Sequence, residues 1–375
     1  MGRDLQFKPY FSAAIRYGTE EMRLGSNMSD KAELSSSSAR TKLIPLKGVL
    51  NRVPLRYKKI QLALLAGGIS GERQVSLNGA REVEKALDSN KYEVFRYDPA
   101  TDLARLAEDA PKLDAAFILL HGLYGEDGTV QGFLDLLDLP YQGSGVLGSA
   151  LAMNKQVAKE MYKNAGLPVP AGIMVTLADL ENPDKILARL PLPLVIKPIR
   201  QGSSLGMSIA RNRADFITGV RDAFQFDSEV LVEQFIAGRE ITVGVIGNSE
   251  LTALPLVEII PGASHPFFNY EAKYNTGASK EICPADLPES LTEKAQEYGI
   301  KAHKSLHLRG YSRTDMIVKD EQLYLLETNT IPGMTPTSLL PQAAAAFGMS
   351  FAALLDRLIS LALEDHAEHK KRRTH

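Results

Sequence analysis

Two short stretches of this 375-residue chain carry carboxylates at a spacing that suits metal and phosphate chemistry: Arg313-Thr314-Asp315 and Glu327-Thr328-Asn329. Side chains alternate across a strand, so Arg313 and Asp315 share one face, as do Glu327 and Asn329. A hairpin turning near Lys319 to Gln322 brings the two pairs together, to within one residue of register. Two carboxylates and an amide oxygen beside an arginine form a hard-oxygen site suited to Mg²⁺, which keeps waters and completes its shell with nucleotide phosphates. The alternative is a solvated face on an edge strand. Leu323, Leu325 and Leu326 argue against it, because an unpaired carboxylate among buried positions is costly.

Lys197 ends the apolar run Leu194-Val-Ile-Lys197 and is followed by Gln201-Gly-Ser-Ser-Leu-Gly206. Glycines let backbone N–H groups approach an anion closely, and the lysine adds a point charge, the usual recipe for phosphate. The spacing matches neither a Walker loop nor a dinucleotide fingerprint. A plain strand-to-strand turn is the other reading of the loop.

The elements that must position these residues follow from the apolar periods. Leu62 to Ala66 reads as a buried strand, Gly67 and Gly68 as a turn, and Ala80, Val83 and Leu87 as one helix face. Ala115 to Leu120, the loop 121–128, and a helix with Val130, Leu134 and Leu137 on one face repeat the unit. Strand–helix alternation implies a parallel sheet covered on both sides, ending near Ala150. Residues 153–165 read as helix, 194–197 and 229–233 as strands. Strands follow at 241–246 and 253–260, then a polar loop at 264–285, a helix at 289–307, and strands at 312–318 and 322–329. A last amphipathic helix presents Phe351, Leu354, Leu358 and Leu361.

Composition narrows the class. Apolar residues make up 44% and charged residues 23%, with formal charge -2, the profile of an ordinary globular protein. Residues 1–59 hold twelve Lys or Arg against five Asp or Glu, so the remainder is acidic and offers no basic nucleic-acid face. The single cysteine, Cys283, forms no intrachain disulfide, and no apolar run reaches the roughly 18 residues of a membrane span. A reducing, cytoplasmic setting is expected. Residues 1–58, with Ser35 to Ser38 in a row, read as a disordered extension; they lack the apolar core of a secretory signal, and Gln6 fails the myristoylation pattern. A transit peptide or an early translation start are the alternatives for that stretch. Residues 365–375 read as a solvated basic tail.

Seven motifs in order make the chain resemble the D-alanine:D-alanine ligases of the ATP-grasp superfamily over residues 60–363. They are Gly67-Gly-Ile-Ser-Gly-Glu-Arg-Gln-Val-Ser76, His121-Gly-Leu-Tyr-Gly-Glu-Asp-Gly128, Tyr141-Gln-Gly-Ser-Gly145, Met153-Asn-Lys155, Gly202-Ser-Ser-Leu-Gly206, Glu271-Ala-Lys-Tyr274 and Glu327-Thr-Asn-Thr-Ile-Pro-Gly-Met334. Departures are small, such as Gln74 where a second acid is common and Asn154 where Asp is frequent. The resemblance implies an α/β fold of three domains. An N-terminal parallel-sheet, Rossmann-like domain would span 59–152, a central ATP-grasp subdomain 153–239, and a C-terminal subdomain 240–364.

The resemblance also implies roles. Lys155, Lys197 and Lys273 would hold ATP, Glu233, Gln234 and Ile236 line the adenine pocket, and Glu240 binds ribose. Asp315, Glu327 and Asn329 would hold magnesium or manganese, two ions being usual. Glu72 would meet the ammonium of the first D-alanine, linked through Ser203 to Tyr274 on loop 264–285. Arg313 and the backbone of Gly333 would stabilise the oxyanion, Ser338 and Leu339 would take the second D-alanine carboxylate, and His121 would stand close by. A homodimer with D-alanine as its substrate is expected, with no nucleic-acid or membrane partner. D-lactate or D-serine as acceptor, another ATP-grasp ligase, and a non-catalytic nucleotide-binding scaffold are the rival readings. Tyr274 goes with dipeptide formation in the resemblance, and the intact metal residues disfavour the scaffold.

Overall fold

The computed structural model describes residues 58–202, 205–262 and 279–373. Ser203, Lys273 and Tyr274, and the expected extension up to residue 57, lie outside the described residues. The described elements are β1 (Ile60–Leu65), α1 (Arg73–Ala86), β2 (Tyr92–Tyr97), α2 (Leu103–Asp109), β3 (Ala115–Ile118), α3 (Thr129–Leu136), α4 (Val146–Met153) and α5 (Lys155–Asn164). They continue with β4 (Gly172–Val175), α6 (Pro183–Arg189), β5 (Leu194–Pro198), β6 (Ser208–Ala210), α7 (Arg213–Ala223), β7 (Val230–Gln234), β8 (Arg239–Gly247), β9 (Thr252–Ala253) and β10 (Val257–Pro261). The rest are β11 (Ser279–Ile282), α8 (Glu289–Ser305), β12 (Gly310–Lys319), β13 (Gln322–Asn329), α9 (Leu339–Ala346) and α10 (Phe351–Arg373).

The first sheet is parallel, in the order β2-β1-β3. Its central strand is apolar throughout because both faces are covered. Leu62 and Leu64 pack with Ala80 and Val83 of α1 and with Leu354 and Leu358 of α10, while Ala63 and Leu65 pack with Leu106, Val130 and Leu134. The strand Tyr92–Tyr97 is an addition to the sequence reading, which its exposed Glu93 and Arg96 had obscured. Arg56–His375 holds together as one unit, and the return of α10 onto the first sheet ties its end to its beginning.

The second sheet, β4-β7-β5-β6, is antiparallel. Leu194, Ile196, Val230 and Val232 face Phe216 and Val220 of α7, which turns Val195, Lys197, Leu231 and Glu233 to the other side. The third sheet runs β11-β10-β8-β12-β13, with β9 on β8. Its back packs on α8 and α5 through Ile241, Val243, Met316, Leu325, Ala295 and Tyr162. Gly299 permits this contact, since a Cβ there would lie 2.5 Å from Val243 Cγ1.

Three expectations shift. The run 253–260 divides into β9 and β10 around Leu254-Pro255-Leu256, where proline supplies no ladder N–H. Ser279–Ile282, expected as loop, is a strand on β10. The C-terminal helix continues to Arg373 where a loose tail was expected from 365; its Asp365 meets Arg309 and its Lys370 meets Asp138. Among the described residues, no single helix is long and apolar enough to cross a membrane.

Candidate active site

The hairpin forms about a tight turn, with Lys319 opposite Gln322 and Asp320 and Glu321 both at positive φ. That conformation matches the twist of the strands. Arg313 pairs with Asn329 and Asp315 with Glu327, so the two acidic pairs face each other. The register then slips between Asp315 and Met316, leaving Leu326 unpaired. This bulge decides the site. Leu323 and Leu325 point into the core, and strict alternation would send Glu327 after them; the extra residue turns Glu327 and Asn329 to the other face.

Asp315 is gripped from several sides. Arg313 donates Nε to Oδ1 at 2.9 Å and an NH2 group to Oδ2 at 2.8 Å, Thr242 Oγ1 donates at 2.6 Å, and Asn329 Nδ2 donates at 3.2 Å. Bidentate pairing of this kind fixes orientation as well as charge. Among the described residues no group of three His, Cys, Asp or Glu stands close enough to cage an ion. Two carboxylates and an amide are an incomplete hard-oxygen set, one that a phosphate-bearing partner would complete.

A cleft between the second and third sheets opens onto Asp315 and Glu327. Val195, Met207, Ile209, Phe235, Ile236, Ile317 and Leu326 form its apolar walls, and Lys155, Lys197, Glu233, Gln234 and Glu240 its polar points. Lys155, the first residue of α5, donates to the Gln201 carbonyl at 2.7 Å and lies 3.3 Å from Glu327 Oε2. Glu233 carries an ion pair on each oxygen: Oε1 to Lys159 at 2.6 Å and Oε2 to Lys197 at 2.5 Å. Burial opposes its charge, but the two ammonium groups prevail and hold the carboxyl below its usual range. Burial likewise pulls Lys159 down to about 8 against the attraction of Glu233.

A second, smaller pocket shares Lys155, Gln201 and Glu327 with the cleft and adds Glu126, Gly202, Asn329 and Thr330. Glu72 lies at this end, at the N-terminus of α1, with no hydrogen bond from its side chain to the helix end. Its carboxylate instead lies against two glycine loops: a Cβ would stand 3.2 Å from Oε2 at Gly122 and 2.6 Å at Gly202. Any larger residue at 202 would displace the acid. His121 is buried, and burial lowers its pKa although Glu72 pulls the other way. Ser338 stands at the N-cap position of α9 but turns its side chain away from the helix: its Oγ accepts from the Thr335 N–H at 3.1 Å and lies 2.8 Å from Thr335 Oγ1. A Cβ at Gly333 would sit 3.1 Å from that Oγ. Leu339 buries its side chain in the core, so only its backbone N–H, in the first turn of α9, is available to an anion.

The sequence reading passed over two residues. Glu126 accepts the Gly122 N–H at 2.8 Å and the Ile331 N–H at 3.2 Å, joining the loop after β3 to the chain leaving β13. Burial, with the Glu72 charge next, pushes its pKa up to about 8. An acid between two glycines in a loop at the end of a parallel strand was the available signal. Lys159 had one as well, standing one helical turn after Lys155 on the same face.

This arrangement is matched by known proteins along almost its whole length. A family model described as D-ala D-ala ligase C-terminus matches residues 161–360, and one described as D-ala D-ala ligase N-terminus matches 98–144. The D-alanine--D-alanine ligase of Syntrophobacter fumaroxidans is 57% identical over 308 residues, 82% of this chain and 99% of the relative. The chain belongs to the D-alanine–D-alanine ligase family. The enzyme of that name from Desulfotalea psychrophila is 58% identical over 311 residues, 82% of this chain and 97% of its own. The crystal structure of the Bacillus anthracis D-alanine--D-alanine ligase complexed with ATP superposes with a TM-score of 0.73 at 35% identity, covering 83% of this chain and 99% of that one. The α/β, ATP-grasp character expected of the fold is borne out by these likenesses.

Proposed function

We propose that this chain is an ATP-dependent ligase that joins two D-alanines into D-alanyl-D-alanine, releasing ADP and phosphate, for peptidoglycan precursor synthesis in the cytoplasm. The observation that carries the reading is 57% identity over 99% of a D-alanine--D-alanine ligase. Supporting it is a cleft that gathers Lys155, Lys197, Asp315 and Glu327 from separate elements. We take the three sheets as three domains with boundaries at 59–152, 153–239 and 240–364, and the active species as a homodimer.

The base of ATP fits between the apolar walls, with Glu233, Gln234 and Ile236 at its edge and Glu240 at the ribose. Lys155, Lys197 and Lys273 meet the phosphates. Asp315, Glu327 and Asn329 would hold Mg²⁺ or Mn²⁺, in two ions, which supply neutralisation of the transferring phosphoryl group. The donor set fits a hard cation, since all three residues can offer oxygen and the remaining positions are left to phosphate and water.

Glu72, with Ser203 and Tyr274, receives the ammonium of the first D-alanine, and His121 closes that side. The carboxylate oxygen of this first D-alanine attacks the γ-phosphorus as the bond to ADP breaks, giving an acyl phosphate with a good leaving group. The amine of the second D-alanine, its carboxylate held at Ser338 and the Leu339 N–H, then attacks the carbonyl carbon. Arg313 and the Gly333 N–H offset the charge on the carbonyl oxygen, and phosphate departs, taking up the proton that the nitrogen loses. The segment joining β10 to β11 would keep water from the acyl phosphate.

The test is ADP release by the purified chain with ATP and Mg²⁺, given D-alanine, L-alanine, or D-alanine with D-lactate, with products identified by mass. D-alanine-dependent turnover to the dipeptide is expected. Turnover only with D-lactate would overturn the acceptor, and no turnover with any of them would overturn the assignments of Glu72 and Ser338.

A further inference from the structure

Glu233 faces the cleft with one cation beside it and another behind it. Lys197 lines the cleft and holds Oε2; Lys159 stands behind the wall and holds Oε1. The side chains of Lys159, Glu233 and Lys197 retain only 3%, 2% and 9% of their exposure. Lys159 Nζ also approaches the Leu325 carbonyl at 3.4 Å, on the strand that carries Glu327 and Asn329. It therefore ties three elements together: α5, which supplies Lys155; β7, which supplies Glu233; and β13.

The charges matter more than the ties. Without Lys159, Glu233 and Lys197 would form a neutral pair, and Lys197 would be spent on the carboxylate. With it, the trio carries one net positive charge, and the surplus lies at the only ammonium of the trio with access to the cleft. In a site of low dielectric one charge has a large effect on an anion.

We propose that Lys159 is a positioning residue of the nucleotide site, engaging one oxygen of Glu233 so that Lys197 presents net positive charge to the nucleotide phosphates. The inference rests on the ATP-binding reading above and adds to it a buried residue that touches neither nucleotide nor amino acid. Lys159 acts through Glu233 in two ways. It fixes the carboxylate at the rim of the base pocket, and it offsets the charge that would otherwise hold Lys197 back.

Isothermal titration with ATP and Mg²⁺ in the absence of D-alanine, paired with the steady-state KM for D-alanine, tests this. Failure of the wild-type chain to bind ATP would overturn the reading of the site itself, whatever Lys159 does. If the wild type binds, Lys159→Met should weaken ATP about tenfold, the effect of roughly one lost charge contact, while the KM for D-alanine stays within about twofold. Loss of thermal stability with unchanged ATP affinity, or an equal rise in the D-alanine KM, would overturn the proposal in favour of a purely structural lysine. Lys159→Gln, which keeps a hydrogen-bond donor to Glu233 but no charge, should fold even if the methionine variant does not, and should weaken ATP by about tenfold as well; a folded glutamine variant that binds ATP as the wild type does would overturn the charge argument. Lys159→Arg, which keeps the cation, should rescue affinity, and failure of a folded arginine variant to do so would count against the proposal.

Discussion

Glu233, fully buried, and Glu126, only partly so, are carboxylates at opposite ends of one site, and they settle in opposite protonation states. Glu233 stands between Lys159 and Lys197 and is held ionised. Glu126 accepts from two backbone N–H groups and feels Arg313, but burial, with the like charge of Glu72 next, outweighs them and raises its pKa to about 8. Burial is common to both, and the sign of the neighbouring charge separates them. The end proposed for the nucleotide is built as fixed countercharge. At the end proposed for the amino acid, Glu126 feels the like charge of Glu72, which Arg313 and two backbone N–H groups offset only in part.

The comparison breaks most visibly at Glu233. Glu233→Ala strands two buried lysines, and chemical denaturation should show a loss of about 3–5 kcal/mol, the usual cost of leaving one side of a buried ion pair. A loss below about 1 kcal/mol, the level of an exposed pair, would mean that the paired end is solvated after all. Where the two ends meet, Glu327→Gln should leave folding nearly intact and lower kcat/KM by about 10²–10³, the scale on which removal of one electrostatic stabiliser is felt. Chelation of divalent ions should abolish turnover of the wild type reversibly.

His303 sharpens the contrast by isolating burial. Its Nδ1 lies 2.8 Å from Ser312 Oγ and its Nε2 has no partner among the described residues; burial, with Lys304 adding to it, drives its pKa down to about 4. The folded state thus binds fewer protons than the unfolded one, whose histidine titrates near 6.5. The stability is complete above about pH 6.5 and declines as pH falls toward 4, by about 3 kcal/mol in all. In His303→Gln that part of the acid slope should vanish from a denaturation series across pH. The smallest effect is expected at Glu126, where the sign reverses. Its raised pKa favours the folded state at low pH, so stability should fall by about 2 kcal/mol as pH rises from 4.5 through 8, in a pocket that water reaches. Glu126→Gln should flatten this slope with little change at pH 5, and an unaltered slope would remove Glu126 from the comparison.

Much of the site was legible along the chain because its signals are local. Alternation put Arg313 with Asp315 and Glu327 with Asn329, and a two-residue turn at Asp320-Glu321 was enough to face the pairs toward each other. The glycine-rich loop 201–206 was read as letting backbone approach an anion closely, and in the structure a Cβ at Gly202 would lie against Glu72 Oε2. The apolar run of β1 foretold a strand covered on both faces. The missed features depend on contacts between distant segments. Alternation alone puts Glu327 in the core behind Leu323 and Leu325, and the bulge that turns it outward exists only in the pairing of β13 with β12.

Residue types and periods by themselves determined a parallel βα unit, a hairpin with paired acids, and glycine loops beside lysines, since each rests on neighbours within a few positions. The tertiary structure decided which charges meet. Lys159 and Glu233 lie on different elements, as do Glu126 and Ile331, and neither the ion pair nor the hydrogen bond can be read from one strand or helix. Whether a buried group is charged depends on dielectric and distance, and those exist only once the chain has closed around it.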